Sequence, residues 1–174
     1  MKTINNYITE RLHITKQTDI YNYFPKTREE LRKLLVKRLD EDKNANLNDI
    51  DVSQITDMSE LFSYLDPHNI DISNWDVSNV IYMNEMFVNC KNFNSDLSKW
   101  DVLKVINMDF MFRGCEEFNS DLSHWNVSNV QTMYYMFKYC KKFNSDLNNW
   151  KISKVKDMAG MFIGCDSLNK PKWY

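Results

Sequence analysis

The fold of this chain is decided by a repeated stretch, Trp100-Asp-Val-Leu-Lys-Val-Ile-Asn-Met-Asp-Phe-Met-Phe-Arg-Gly-Cys-Glu-Glu-Phe-Asn-Ser-Asp-Leu-Ser-His124. Trp75, Trp100, Trp125 and Trp150 stand 25 residues apart, and most of the residues between them recur. Such a period is typical of solenoids of the leucine-rich class. One unit is too small to bury its own apolar side chains, so neighbouring units must stack. The sequence therefore predicts a long surface suited to binding rather than a catalytic cleft.

Length and composition are those of one ordinary globular domain: 174 residues, 43% of them hydrophobic, with a net charge of −2. A protein that binds nucleic acid needs a basic excess to neutralise phosphates, and this chain has none. No apolar run is long enough to span a membrane. The first ten residues lack the apolar core of a signal peptide. We therefore expect a cytoplasmic monomer, or a surface protein if an export signal has been removed from the sequence.

Two segments with different patterns divide the chain into an N-terminal helical cap, 1–46, and the repeats, 47–174. Thr27-Arg28-Glu29-Glu30 has the pattern of a capping box, which marks the start of a helix. The apolar residues that follow have helical spacing and predict a helix over 28–41. They are Leu31, Leu34, Leu35 and Leu39. Because an open end of a repeat stack exposes core, we expect 1–46 to cover that end.

Within each unit the spacing of apolar residues changes. Leu97-x-x-Trp100-x-Val102-x-x-Val105 matches the leucine-rich frame, and Trp100 and Val102 alternate as in a short strand. The apolar residues after Val105 follow at helical spacing. They are Met108, Met111, Phe112, Cys115 and Phe118. The pattern predicts an α/β leucine-rich-repeat-like solenoid of about five units with a parallel sheet, and it places the Met-x-x-Met-Phe motif in the core rather than in a binding groove.

The first and last units depart from the pattern. Ile50 stands in the place of the tryptophan in the first unit. The last unit ends with Leu168-Asn169-Lys170-Pro171-Lys172-Trp173 and lacks two residues. Pro171 has no N–H to donate to a ladder, which suits a terminal edge.

Three columns of polar or sulfur-bearing residues invite a chemical interpretation. The cysteines share one place in the unit, which favours buried thiols over disulfides between neighbours or a thiolate metal site. They are Cys90, Cys115, Cys140 and Cys165. A column of Asp71, Asp96, Asp121 and Asp146 could bind Ca²⁺, but acceptance of backbone N–H bonds in turns is the favoured interpretation. The asparagines are expected to form a ladder. They are Asn69, Asn94, Asn119, Asn144 and Asn169. We predict no cofactor and no metal.

Motifs of catalysis are absent from the sequence. There is no glycine-rich phosphate loop, no G-x-S-x-G and no H-E-x-x-H. The histidines His13, His68 and His124 are scattered in the sequence. We therefore expect a protein that is not an enzyme.

Two surfaces are candidates for contact with a protein partner. On the predicted sheet face, a strip of variable residues runs from acidic to basic, and its charged members are Asp76, Asp101, Lys151 and Lys154. On the other side, aromatic residues occupy places that are polar or glycine in other units. They are Tyr82, Phe110, Tyr134, Tyr135 and Tyr139. The alternatives are a solvated polar face for the strip, and packing between adjacent units for the aromatic residues.

The units also resemble a known family. Phe93-Asn94-Ser95-Asp96-Leu97-Ser98-Lys99-Trp100-Asp101-Val102, followed by Met-Phe-x-x-Cys, resembles the BspA-like leucine-rich-repeat proteins of bacteria. The stretches at 24–31, 48–51 and 55–58 resemble the segment that introduces such arrays, so the resemblance covers about residues 22–173. It implies a curved α/β solenoid and little about activity, although some members are surface proteins that act in adhesion. The expected function is a non-enzymatic protein-binding module of a bacterium, and the alternative is a structural or surface-display module.

Overall fold

One helix, α1, spans Arg28–Glu41 in the computed structural model, which describes residues 21–174. The hydroxyl of Thr27 accepts the N–H of Glu30 at 3.2 Å, and the Glu30 carboxylate accepts the N–H of Lys26 at 2.8 Å. The predicted helix and its N-terminal cap are therefore confirmed. Within residues 21–174, no helix is long and apolar enough to cross a membrane. The remainder of the proposed cap, residues 1–20 with His13, lies outside the described residues.

The expected α/β solenoid with a parallel sheet is wrong. In the described part of the chain, α1 is the one helix, and β-type pairing between units is limited to isolated parallel bridges. One series of bridges joins Asp57, Tyr82, Asn107, Thr132 and Asp157, each 25 residues after the last. The units do lie beside one another, as the repeat requires, but they are built from turns rather than from strands and helices.

Tandem turns replace the predicted helix of each unit. In residues 83–90, every second N–H closes a turn onto the carbonyl three positions earlier, as Met86 does onto Met83 at 3.3 Å. The N–H groups between them bind the next unit, as Glu85 does with Asp109 at 2.8 Å. A spacing of three between apolar residues fits both a helix and a row of turns. The turns are formed because half of the N–H groups find carbonyls in the neighbouring unit, which a local pattern cannot reveal.

The turns require a left-handed backbone at fixed places. The third residue of alternate turns has a φ between 53° and 77°, as a type II turn demands. One such column contains Glu60, Glu85, Phe110, Tyr135 and Gly160, and the other contains Tyr64, Asn89, Gly114, Tyr139 and Gly164. Glycine adopts this conformation freely, whereas a bulky side chain there costs about 1–2 kcal/mol. The two columns therefore mix unstrained and strained residues.

The core consists of columns of identical side chains that stack from unit to unit. The rings of Trp75 and Trp100 are nearly parallel at 6.4 Å, and the indole N–H of Trp100 donates to the carbonyl of Ile72 at 3.1 Å. The Met-x-x-Met-Phe residues are buried, with Met158 of the last unit half-buried, which confirms their core role. Trp173 donates in the same way to Leu147 at 2.8 Å. It therefore takes the tryptophan place in the shortened last unit.

The cysteine column is buried and its thiols are free, as predicted. Each Sγ donates to a carbonyl of the preceding unit, as Cys115 does to Phe87 at 3.0 Å. Burial raises the pKa of Cys90 to about 12 and the pKa of Cys165 to about 11. The thiols serve as weak donors that join units, and their reactive thiolate form is suppressed.

Candidate functional site

An aromatic patch, which consists of Phe110, Tyr134, Tyr135 and Tyr139, lies on the surface of the turn segments. The rings of Phe110 and Tyr134 meet edge to face at 5.2 Å, and those of Tyr134 and Tyr135 lie 4.0 Å apart. Phe110, Tyr134 and Tyr135 are half-buried and Tyr139 is 46% exposed. The structure thus brings together three of the aromatic residues that the sequence singled out. Tyr82 is exposed, but it lies in the bridge column and stacks on none of these rings.

The turns position the patch. Phe110 and Tyr135 occupy the left-handed place of consecutive units, so their side chains lie outside the column of buried methionines. A Cβ on Gly160 would stand 1.9 Å from the Tyr135 ring, and a Cβ on Gly164 would stand 2.5 Å from the Tyr139 ring. Each tyrosine therefore lies across a glycine of the next unit. The ring faces that lie against the glycines pack between adjacent units, as the alternative interpretation predicted. The rest of each ring is accessible to solvent.

Cations lie against the same rings. The Lys138 ammonium is 4.2 Å from the centre of the Tyr135 ring and 5.1 Å from that of Tyr139. The Arg113 guanidinium lies 5.7 Å from the centre of the Phe110 ring. Such contacts attract the cations to the faces of the rings. Sequence reasoning missed both cations, although Arg113 and Lys138 share one column and are flanked by the aromatic places.

The charged strip does not lie on a sheet face, because the described residues form no sheet. Asp76 accepts the N–H of Ser78 at 3.1 Å, and Asp101 accepts the N–H of Leu103 at 3.0 Å. These carboxylates thus close local turns. Lys151 is exposed. The expectation of a flat, sheet-borne strip is wrong, and what remains is a row of exposed turn residues.

Lys154 belongs to a shallow depression of about 450 Å³. Ile81, Ile106 and Lys104 are among its other lining residues. The Lys154 ammonium donates to the side chain of Asn129, which also lines the depression, at 2.7 Å.

The aspartate column behaves as the favoured interpretation predicted. Asp96 accepts the N–H of Ser98 at 2.9 Å, and bonds from the Ser98 hydroxyl and N–H lower the pKa of this carboxyl. The equivalent carboxyls also have a lowered pKa, and the first cause for each is a backbone N–H two residues later. They are Asp71, Asp121 and Asp146. Within residues 21–174, no three side chains of His, Cys, Asp or Glu are grouped so that they could hold a metal.

The predicted asparagine ladder is present. Asn94 accepts the N–H of Asn119 at 2.8 Å, and Asn119 accepts that of Asn144 at 2.9 Å. In both bonds the side-chain carbonyl of one asparagine is used by the backbone of the next unit. These side-chain carbonyls are therefore not a row of free acceptors for a partner.

The repeats of this chain match a known protein family. The chain matches the family described as Mycoplasma protein of unknown function, DUF285, over residues 29–125 and again over residues 96–173. The chain belongs to the DUF285 family. The two matches together span α1 and the stacked units of this DUF285 chain. No curated protein and no solved structure matches it. The likeness to BspA-like proteins stays a prediction, and the function of this DUF285 chain has to be argued from its surface.

Proposed function

We propose that this chain is a non-enzymatic protein-binding module and that the aromatic patch is its contact surface. One observation carries the proposal: Phe110, Tyr135 and Tyr139 each have a left-handed backbone, with φ of 56°, 53° and 66°. The same columns contain glycine at Gly114, Gly160 and Gly164, so the fold accepts a residue without strain at these places. A conformational cost that the fold does not require suggests that the rings serve a further purpose.

The composition of the patch fits that purpose. Tyrosine and arginine are enriched at the centres of protein interfaces, where a few such residues account for about 2 kcal/mol or more each. The rings are already held in place by Gly160, Gly164 and Lys138. Rings that are fixed before binding lose little side-chain entropy when a partner covers them.

The titratable groups of the units argue against catalysis. A nucleophilic cysteine needs a lowered pKa and a general acid carboxyl needs a raised one. Here burial raises the pKa of Cys115 and Cys140, and hydrogen bonds lower that of Asp96 and Asp121. Both groups are shifted in the direction that suppresses the reaction.

The test replaces the strained aromatic residues by asparagine, which tolerates a left-handed backbone and already stands at Asn89. The variant with Phe110→Asn, Tyr135→Asn and Tyr139→Asn should keep its fold and lose partner capture from a lysate of the native cell. Tyr64→Asn is the matched control, since Tyr64 lies in the same column and is 76% exposed outside the patch. The control should capture the same proteins as the parent chain.

Three results would contradict the proposal. If the triple variant folds and still captures the partner, the contact lies elsewhere, and charge reversal of Asp76, Asp101, Lys151 and Lys154 tests the strip next. If the triple variant unfolds while Tyr64→Asn does not, the rings are packing residues. If the parent chain captures nothing, the structural or display role takes the place of binding.

A further inference from the structure

Backbone hydrogen bonds between the tandem-turn segments of neighbouring units, such as 83–89 and 107–113, all run in one direction. The N–H groups of Met83, Glu85, Phe87 and Asn89 donate to carbonyls of the following unit at 2.8 to 3.0 Å. The equivalent groups donate in the same direction in each successive pair of units up to residues 133–139. In this row each unit therefore presents backbone carbonyls to the preceding unit and backbone N–H groups to the following one, whereas bonds outside the row, such as that from the Ile106 N–H to the Ile81 carbonyl, run the other way. We call the row of carbonyls at the first unit the carbonyl edge and the row of N–H groups at the last unit the N–H edge.

The carbonyl edge is completed by α1. Arg28 donates to the carbonyl of Ser59 at 3.4 Å, and Arg32 donates to those of Leu61 at 2.8 Å and Ser63 at 3.2 Å. In later units these places accept N–H groups from a preceding unit. Two guanidinium groups thus replace the missing donors. Arginine suits this task because it presents several N–H groups in a fixed plane.

Among residues 21–174, nothing completes the N–H edge in this way. It consists of the N–H groups of Met158, Gly160, Phe162 and Gly164, which stand at the places that donate onward in every earlier unit. Within residues 21–174, none of the four finds an acceptor. The tail, 171–174, packs its rings on the Phe162 side chain and supplies no acceptor to the row. Four aligned donors without partners are a template for another chain.

Apolar side chains and positive charge accompany these donors. Ile152, Val155 and Met158 are only half-buried, whereas their equivalents in the preceding unit are buried. Residues 151–174 contain five lysines against two aspartates, a side-chain net of +3. A ligand that complements this edge would supply hydrogen-bond acceptors for the N–H groups, apolar side chains at alternate positions, and negative charge.

We propose that the N–H edge binds an extended acidic segment of a partner protein, whose carbonyls accept the four N–H groups and whose carboxylates face the lysines. Addition of a strand-like segment to an exposed edge is an established mode of peptide recognition. A second copy of this chain does not fit. Two rows of N–H groups do not complement each other, and the carbonyl edge of another copy is already occupied by Arg28 and Arg32. This site is separate from the aromatic patch.

Amide hydrogen exchange tests the proposal on the full chain. The probe is a blocked nonapeptide of alternating glutamate and valine, and its control has lysine in place of glutamate. At a peptide concentration ten times Kd, exchange at Met158, Gly160, Phe162 and Gly164 should slow about tenfold, and the lysine peptide should have no effect. Binding without protection of these amides would show a general attraction to lysines and would overturn the proposal. Equal protection by both peptides, or no binding, would overturn it as well.

Two charge-matched variants separate the edge from the rest of the surface. Lys154→Gln with Lys156→Gln should weaken binding of the acidic peptide by about tenfold while the four amides still exchange freely without peptide. Lys141→Gln with Lys142→Gln removes the same charge from the middle of the stack, where these lysines pair with Glu116 and Glu117. That control should bind like the parent chain. Equal weakening by both variants would contradict a localised site.

Duplication of one repeat unit moves the N–H edge to the added unit and leaves the sequence at that edge unchanged. Insertion of a second copy of residues 141–165 after Cys165 adds one unit in the same 25-residue period. The amides of Met158 and Gly160 should then be protected without peptide, and those of the inserted copy should become the peptide-sensitive ones. Peptide protection that stays at the original residues would rule out edge addition.

Discussion

The two ends of the stack contain the same turns and are completed in different ways. At the first unit, α1 covers the core with Leu31, Leu35 and Leu39 and fills open carbonyls with arginine side chains. At the last unit, the tail covers Phe162 but leaves Ile152 half-buried. The difference shows that a repeat supplies its own partners only in the interior. Each end therefore needs contacts that the repeat itself does not supply.

The largest expected effect is on the covered end. Deletion of residues 1–46 removes α1 and uncovers Leu47, Ile50 and Val52, which are at most 1% exposed in the intact chain. Because a bare edge of this kind pairs with other chains, the truncated protein should aggregate. Size-exclusion chromatography and thermal unfolding measure the change. Deletion of residues 1–20 alone keeps α1 and serves as the control. A truncated protein that remains monomeric and equally stable would refute the capping role of α1.

The next effect compares a central tryptophan with the terminal one. Trp100→Ala should lower the free energy of unfolding by about 3–5 kcal/mol, because its ring is buried and stacks on that of Trp75. Trp173 is half-buried, so Trp173→Ala should cost about half as much. Urea unfolding gives both values. Equal losses would mean that the last unit is as well packed as the interior.

A smaller effect is expected where α1 meets the carbonyl edge. Arg32→Met keeps the aliphatic stem but leaves the carbonyls of Leu61 and Ser63 without donors. The free energy of unfolding should fall by about 1–3 kcal/mol. Lys33→Met changes an exposed neighbour on the same helix and should change stability by less than about 0.5 kcal/mol. If the two substitutions prove equivalent, the guanidinium bonds are not what completes this edge.

The smallest expected effect is a difference in thiol labelling between a cysteine in the interior of the stack and the cysteine of the last unit. Cys115 is fully buried with a strongly raised pKa, whereas Cys165 of the last unit is 9% exposed and its pKa is raised to about 11. A maleimide should therefore label Cys165 first under native conditions, and Cys115 only after denaturation. Mass spectrometry of timed samples measures the order. Faster labelling of Cys115 would mean that the interior opens more readily than the end.

The core could be predicted from the sequence because it depends on composition and period alone. Side chains such as Trp100, Met111 and Cys115 recur every 25 residues, and equivalent apolar places must coincide when units stack. The aspartate turns could be predicted because they are local: the Asp96 carboxylate accepts the N–H of a residue only two positions later. The helix over 28–41 carries a capping signal within four residues of its start.

The backbone of each unit could not be predicted from the same pattern. Spacings of three between Met108, Met111 and Cys115 suit a helix and a row of turns equally. The hydrogen bonds between units select the turns. The N–H of Phe110, for example, donates to the carbonyl of Tyr134 in the next unit. The predicted strip of Asp76 and Lys151 failed for the same reason, because its sheet face depended on a strand that is not formed.

By itself, the sequence determined the period, the buried columns and the helix α1, because each depends on residue type and local spacing. Only the tertiary structure decided that the units are turns, that Tyr135 lies across Gly160, and that every second N–H group of the turn segments donates toward the same end of the stack. These properties depend on which group meets which across a distance of 25 residues. A hydrogen bond between units has a direction, and the spacing of side chains carries no information about it.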